Sequence, residues 1–391
     1  MQPKTTLQYT QNGVQKIQRK INAVKACARG READPAYALD VPHDIGLKLT
    51  NRCNLRCTHC FQWDIGGYHH SLDKIELKKE GDLSIDIIKE VLRKTKDVKA
   101  SLYLWGGEPT LYAHWDELVD LLVEDPRETV MCTNGVAIQG QIESFLKISE
   151  NLTVLFSIEG SEEIHNQLRG KGTYTKIMGN LNRLLDLQKS GAYKGNVSVE
   201  AVISDGLIPQ LYGFCEYYEA MGIDSLFLNF PWYIPEAVAN DMDDYFESKY
   251  GWMNTNKGKG NSWHSFDFRI SSSIVDELKV QIQRILDRKW NIRIRFHPDL
   301  SGEEMMAFIE GDAKPAQGKT RCLGISSRID LLPNGTVTPC KKFPEFKVGN
   351  MKGKTLEEVW NGEEYRKFRE AHNNELMSIC SKCETLYANG V

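Results

Sequence analysis

Ile45-Gly-Leu-Lys-Leu-Thr-Asn-Arg-Cys53-Asn-Leu-Arg-Cys57-Thr-His-Cys60-Phe61 joins two signals in one stretch. The apolar alternation of Ile45–Leu49 predicts a strand, and three cysteines spaced i, i+4, i+7 follow its end. Thiolates so spaced can hold three irons of a [4Fe–4S] cluster and leave the fourth iron open to a small chelating molecule. A zinc site missing its fourth ligand and three incidental thiols are the competing readings.

Downstream of this stretch, strand and helix patterns alternate. Apolar runs sit at 101–105, 129–133, 152–158, 197–203 and 225–230, with helical periodicity at 85–94, 115–123, 142–148, 174–189 and 208–221. A further helix over 274–288 comes only after a long insertion. Six β/α units in this order predict an α/β fold, a parallel sheet curled into a partial (β/α)6 TIM-like barrel. Right-handed crossovers place every strand-to-helix loop on one rim. The expected division is an N-terminal flank over 1–43 packing on the barrel, the barrel over 44–300 with an insertion at about 231–270, and a small C-terminal unit over 301–391.

The 391 residues are 41% hydrophobic and 26% charged, ordinary for a globular chain with a sizeable core. A net charge of −4 gives no global attraction to nucleic acid. No apolar stretch approaches the roughly 20 residues of a membrane helix, and the N-terminus lacks a secretion-signal layout. The expectation is a cytoplasmic protein whose ten cysteines serve metals before disulfides. Cys27, Cys132 and Cys215 stand apart from the rest and read as small buried hydrophobes.

Trp105-Gly106-Gly107-Glu108-Pro109 follows the second strand. Paired glycines allow a close backbone approach and can supply amides, while the carboxylate can accept from an ammonium; a plain turn is the alternative. Together with the Cys-x3-Cys-x2-Cys loop, this motif resembles the radical S-adenosylmethionine (SAM) enzymes. The resemblance implies that Cys53, Cys57 and Cys60 hold a SAM-binding [4Fe–4S] cluster. It also implies SAM contacts by Phe61, Gly106, Gly107, Glu108 and Pro109. Asn134, which ends the third strand, Ser157 on the fourth, and Arg169 in His165-x3-Arg169-Gly170 join them, as does Val202 as an apolar contact to adenine. An arginine fork suits the SAM carboxylate, though a structural salt bridge by Arg169 is the other reading. Reduction of this cluster by a flavodoxin- or ferredoxin-type partner would release a 5′-deoxyadenosyl radical that takes hydrogen from the substrate.

The C-terminal unit carries Cys322, Cys340, Cys380 and Cys383, with a hairpin turning at Asn334-Gly335. It resembles the SPASM/twitch appendage of these enzymes, cut short after Cys383, and implies one auxiliary iron–sulfur cluster, taken as [4Fe–4S]. Four thiolates also suit a structural zinc. Four ligands close such a cluster to substrate, which leaves it the part of an electron relay and predicts an oxidative outcome. A redox-neutral outcome needs a thiol to return hydrogen, and Cys132, one residue from a strand end, is the candidate.

The leading reading is oxidative modification, such as cross-linking, of a ribosomally synthesised peptide. The aromatic insertion would grip the peptide, and the absence of a visible leader-binding domain points to a separate leader-peptide-binding protein. The alternative is dehydrogenation or epimerisation of a sugar or aminocyclitol, with Glu159 or Asp205 holding amino groups. A non-catalytic iron–sulfur or zinc scaffold is the third reading. Within the insertion, His264 reads as a structural, hydrogen-bonded residue before an acid or base.

Overall fold

A computed structural model describes residues 1–72, 81–253, 260–373 and 375–391. Its frame is a ten-stranded sheet. Seven parallel strands come first in the chain: β1 (Asp44–Lys48), β2 (Ser101–Trp105), β3 (Thr129–Thr133), β4 (Leu152–Ser157), β5 (Asn196–Val202), β6 (Ser225–Asn229) and β7 (Arg293–His297). Three short C-terminal strands complete it: β8 (Arg328–Leu331), β9 (Thr336–Thr338) and β10 (Gly349–Asn350). The spatial order is β10-β9-β8-β1-β2-β3-β4-β5-β6-β7. Apolar residues such as Leu47, Leu104, Val154, Val199 and Leu226 are fully buried in the strands, as a sheet covered on both faces requires.

The helices between strands follow from their apolar stripes. Ile85–Lys94 buries Ile85, Ile87, Ile88, Val91 and Leu92 against the sheet, and its first turn is capped by Ser84 accepting from the Asp86 amide. The periodicity at 85–94, 115–123, 142–148 and 174–189 gives helices at those places, with ends shifted by a residue or two.

Three features add to the sequence reading. A seventh parallel strand, β7, follows the helix Val275–Asp287 and forms one sheet edge. The C-terminal hairpin does not stand off the barrel, because β8 pairs in parallel with β1, Asp330 opposite Gly46. The N-terminal flank forms a helix, Gln11–Ala33, anchored to the C-terminal unit: buried Arg31 donates to Asn373 Oδ1, Ser326 Oγ and the Arg369 carbonyl. Lys16 and Lys20 of the same helix pair with Glu128 and Asp44 of the barrel. The 231–270 insertion contains the helix Glu236–Tyr250, and its residues 254–259 lie outside the described ones. Among the described residues no helix is long and apolar enough to cross a membrane.

The seam between β1 and β8 depends on one missing side chain. A Cβ at Gly46 would stand 1.7 Å from Asp330 Oδ1 and 2.6 Å from Arg328 Nη2, two groups locked in a fork-to-carboxylate pair at 2.7–2.8 Å. Gly46→Ala is therefore expected to destabilise the fold by about 1–3 kcal/mol, read as a lowered denaturation midpoint. Gly179→Ala, in a helix where an added Cβ meets nothing within 4 Å, is expected to be neutral or slightly stabilising.

Candidate active site

The strand-to-helix loops converge on one cavity at the C-terminal rim. Cys53, Cys57 and Cys60 line it, with Phe61, Gly106, Gly107, Cys132, Asn134, Ser157, Arg169 and Val202. Of the expected SAM contacts, only Glu108 and Pro109 stand outside the lining.

The cysteine loop is shaped by its own backbone and by its neighbours. Cys60 N donates to the Cys57 carbonyl at 3.1 Å, Thr58 N to the Leu168 carbonyl at 2.9 Å, and the Trp63 indole to the Asn51 carbonyl at 3.1 Å. Burial pushes the Cys53 thiol up to about 12 and the Cys57 thiol to about 11, although Arg169 pulls the latter back. Such thiols release their protons to a bound metal charge, and donors already wait at the sulfurs: Leu55 N at 3.4 Å and Asn134 Nδ2 at 3.9 Å from Cys53, Arg169 Nη1 at 3.9 Å from Cys57. This donor set fits an iron–sulfur cluster held by three thiolates.

The Gly106-Gly107-Glu108 turn works differently from the expectation. Gly107 N and Glu108 N donate to the Thr50 and Arg52 carbonyls of the cysteine loop, each at 2.8 Å, so neither amide is offered to a ligand. A Cβ at Gly107 would stand 2.2 Å from the Arg52 carbonyl oxygen, and one at Gly106 2.4 Å from that of Thr50, so both glycines serve the approach of two backbones. The Glu108 carboxylate, 1% exposed, accepts from Thr110 N and Oγ1, Thr133 Oγ1 and Asn134 N at 2.7–3.2 Å. It binds the second and third loops together.

Arg169 is also committed. Its Nε and Nη2 grip Glu159, leaving Nη1 beside Cys57. Burial opposes the charge on Glu159, but Arg169 and His59 hold its carboxyl far below the usual carboxylate range, and Val202 N donates to it at 2.7 Å. Glu159 is therefore no free holder of an amino group. Asp205 is likewise occupied, by Ser271 N and Oγ. His264 pairs with Asp243 at 2.8 Å and is absent from the cavity lining. Cys132 Sγ donates to Glu200 Oε1 at 2.8 Å, and Ser157 Oγ donates to the same oxygen at 3.1 Å. Burial and Glu200 keep the Cys132 thiol protonated. Cys27 and Cys215, by contrast, are fully buried away from the cavity.

Cys322, Cys340, Cys380 and Cys383 gather beneath the rim, close enough for each to feel others' charge; burial first, then that mutual repulsion, raises Cys340 and Cys380 well above the ordinary thiol value. A small cavity lined by Cys340, Cys380 and Cys383 shares Trp232, Lys341, Lys342 and Glu384 with the large one. Four repelling thiols in one buried place fit a site for a metal cluster. Glu200, Lys341, Lys342 and Glu384 escaped the sequence reading, whereas Trp232 belongs to the aromatic insertion expected to grip the substrate. A charge at an otherwise apolar β5 position, and two lysines directly after a ligand cysteine, were the available signals.

Two predictions follow from the buried polar groups. Glu108→Gln replaces one acceptor by an amide among four donors and is expected to cost about 1–3 kcal/mol in chemical denaturation and to lower iron retention on desalting. His165 is 1% exposed, and its Nε2 has no hydrogen-bond partner among the described residues; burial, aided by Arg169, lowers its pKa to about 4. The unfolded chain binds this proton below about 6.5 while the folded one does not, so stability falls as pH drops from about 6.5 to about 4 and this contribution is flat below. His165→Gln should flatten the stability–pH curve in that window.

Comparison with known proteins agrees with this geometry. Residues 47–202 match the family model of the radical SAM superfamily, and residues 322–384 match SPASM, an iron–sulfur cluster-binding domain. A cysteine-type anaerobic sulfatase-maturating enzyme of Clostridium novyi is 23% identical over 85% of this chain and 83% of its own length. Mycofactocin maturase MftC of Mycolicibacterium smegmatis is 27% identical over 41% of this chain; the chain spans 38% of that relative. Among solved structures, Streptococcus suis SuiB bound to S-adenosylmethionine shares the fold at a TM-score of 0.57 and 17% identity, over 92% of this chain and 74% of SuiB. SuiB bound to its precursor peptide SuiA aligns at 0.58 and 16% identity, over 93% and 73%. The two family models together cover more than half of the residues, and their iron–sulfur and SAM chemistry is what the two thiol sites are built to hold: this chain belongs to the radical SAM superfamily and carries a SPASM-type cluster-binding domain.

Proposed function

We propose that the enzyme oxidatively modifies, by cross-linking or dehydrogenation, a ribosomally synthesised peptide. The observation that carries this reading is the wall between the two thiol sites. Phe230, Trp232, Phe266 and Phe268, three of them from the insertion, close one side of the cavity, with Phe266 stacked on Phe61 at 4.7 Å. An aromatic wall of this kind can grip the side chains of an extended peptide. That SuiB binds a precursor peptide, and that relatives are named as maturases, supports the same class of substrate.

With cluster and SAM bound, the chemistry supplied at the Cys53–Cys60 loop is a 5′-deoxyadenosyl radical that takes one hydrogen atom. The chain's part is to hold and screen. Gly106 and Gly107 fix the cysteine loop, while Asn134, Ser157, Arg169 and Val202 line the side on which SAM would lie. A substrate radical becomes an oxidised product by losing a proton and one electron. Glu200 is a carboxylate in the cavity able to take the proton, whereas, against burial, Lys342 and Lys341 lower the Glu384 carboxyl to about 2 and make it a poor acceptor; Cys322, Cys340, Cys380 and Cys383 would hold an electron acceptor beside the wall. Cys132, still protonated and lining the same cavity, would serve a redox-neutral outcome. The external electron comes from a flavodoxin- or ferredoxin-type partner.

The test is SAM cleavage by anaerobically reconstituted protein, offered peptides encoded beside the gene and, separately, amino sugars and aminocyclitols. The expected result is 5′-deoxyadenosine formation stimulated by a peptide whose mass falls by two hydrogen atoms. The same loss from a sugar or aminocyclitol would overturn the peptide reading. Iron content should be ~8 per chain, falling to ~4 when Cys53, Cys57 and Cys60 are all replaced by alanine.

A further inference from the structure

The cavity wall holds two cations with too little to bind. The Lys341 and Lys342 side chains are only 13% and 16% exposed and line the large cavity. Each ammonium rests on aromatic rings: Lys342 Nζ lies 3.3 Å from the Trp232 ring centre, and Lys341 Nζ 3.8 Å from that of Tyr103. Their shared anion is Glu384, and it serves them poorly. Lys341 makes one long hydrogen bond to it, 3.4 Å, and Lys342 stands 4.0 Å off, beyond hydrogen-bond reach. Among the described residues Lys342 has no hydrogen-bond acceptor. Two ammonium groups carry six N–H donors, and one weak bond within the protein leaves most of them open towards the cavity they line. Groups so placed normally have partners.

The other charged groups facing this wall do not fill the need. One oxygen of Glu200 is taken by Cys132 and Ser157, Glu159 is taken by Arg169 and His59, and Cys383, which also acts on Lys342, belongs to the four-thiol site. Water satisfies exposed lysines, but the aromatic platforms under Lys341 and Lys342 leave open only the directions that face the cavity. The two ammoniums approach different oxygens of one carboxylate, Glu384, so a ligand carboxylate can accept from both at once.

We propose that Lys341 and Lys342 form a carboxylate-binding subsite, which places a carboxylate of the substrate next to the carbon that loses hydrogen. Resting on the peptide reading above, it narrows the substrate to one bearing an Asp or Glu side chain, or the free C-terminus, near the reacting residue. The lysines act through binding and positioning. They sit where the main cavity meets the four-thiol site, so the carboxylate also marks the end of the substrate nearest the electron acceptor.

The test uses reconstituted holoenzyme saturated with SAM, titrated with two pairs of probes and followed by calorimetry. N-acetyl-phenylalanine is compared with its amide, and N-acetyl-glutamate α-amide with N-acetyl-glutamine amide. In the wild type at least one acid is expected to bind about tenfold or more tighter than its uncharged partner, from charge-assisted hydrogen bonds. The first pair reports a C-terminal carboxylate and the second a side-chain one. Lys342→Met should bring that ratio close to one, and Lys342→Arg should largely restore it. Equal binding of acid and amide by the wild type overturns the subsite, as does a ratio retained in Lys342→Met. A role limited to the charge of the nearby cluster, or a partial loss of fold, would move acid and amide alike and leave the ratio unchanged, which also counts against the proposal. Acid preference without any modified peptide would leave the subsite standing and remove the peptide reading.

Discussion

The Glu108 carboxylate carries the assembly of the rim. It is an acceptor-only group set among four donors from two loops, in a place that excludes water. Burial raises its pKa, and the donors fixed around it oppose that rise. On one side it closes the Glu108–Leu111 turn, and on the other it holds the start of the Asn134 loop. The adjoining glycines then let this unit press against the cysteine loop, backbone on backbone, at Thr50 and Arg52. Three loops from three consecutive strands are therefore one rigid body. Three thiols need such a body, since a cluster accepts little variation in where its ligands stand.

Around that body the remaining charges are paired off in a graded way. Arg169 and Glu159 neutralise each other completely, with His59 and Val202 N filling the other lone pairs. Glu200 is half committed, to a thiol and a hydroxyl. Lys341 and Lys342 are least committed. Moving from the cysteine loop towards the four-thiol site, the cavity passes from closed electrostatics to open electrostatics. An enzyme that must place SAM invariably and a substrate selectively would distribute its charges in this order. The aromatic insertion fits the same division: Trp263 and Phe246 are spent on packing with Phe346, while Trp232 and Phe266 face the cavity.

What the sequence disclosed, and what it hid, divides along the range of the forces involved. Periodicity is local, so β1 to β6 and their helices were legible within a residue or two. The Cys-x3-Cys-x2-Cys loop is local as well, and its chemistry could be read from spacing. The part of Glu108 in joining loops was not legible, because its partners Thr133 and Asn134 lie a whole β/α unit away. The pairing of Arg169 with Glu159, ten residues before it, is the salt bridge that stood as its other reading, and it leaves Nη1 on the cavity side. The parallel pairing of β8 with β1 joins residues nearly 300 apart in the chain, and nothing local to either strand announces it.

That long-range pairing has a consequence for the chemistry. Because β8 continues the same sheet, the hairpin that leads to Cys340 is set by the strand that leads to Cys53, Asp330 opposite Gly46 and Leu331 opposite Leu47. Two thiol sites mounted on separate, loosely joined bodies would change their spacing with every domain motion, and electron transfer falls off steeply with distance. Mounted on adjacent strands, they keep it. The lysine pair follows Cys340 without a spacer, so the same register also fixes where a substrate anion would meet the cavity. One seam of backbone hydrogen bonds thus sets three positions at once: the SAM-side thiols, the auxiliary thiols and the wall between them.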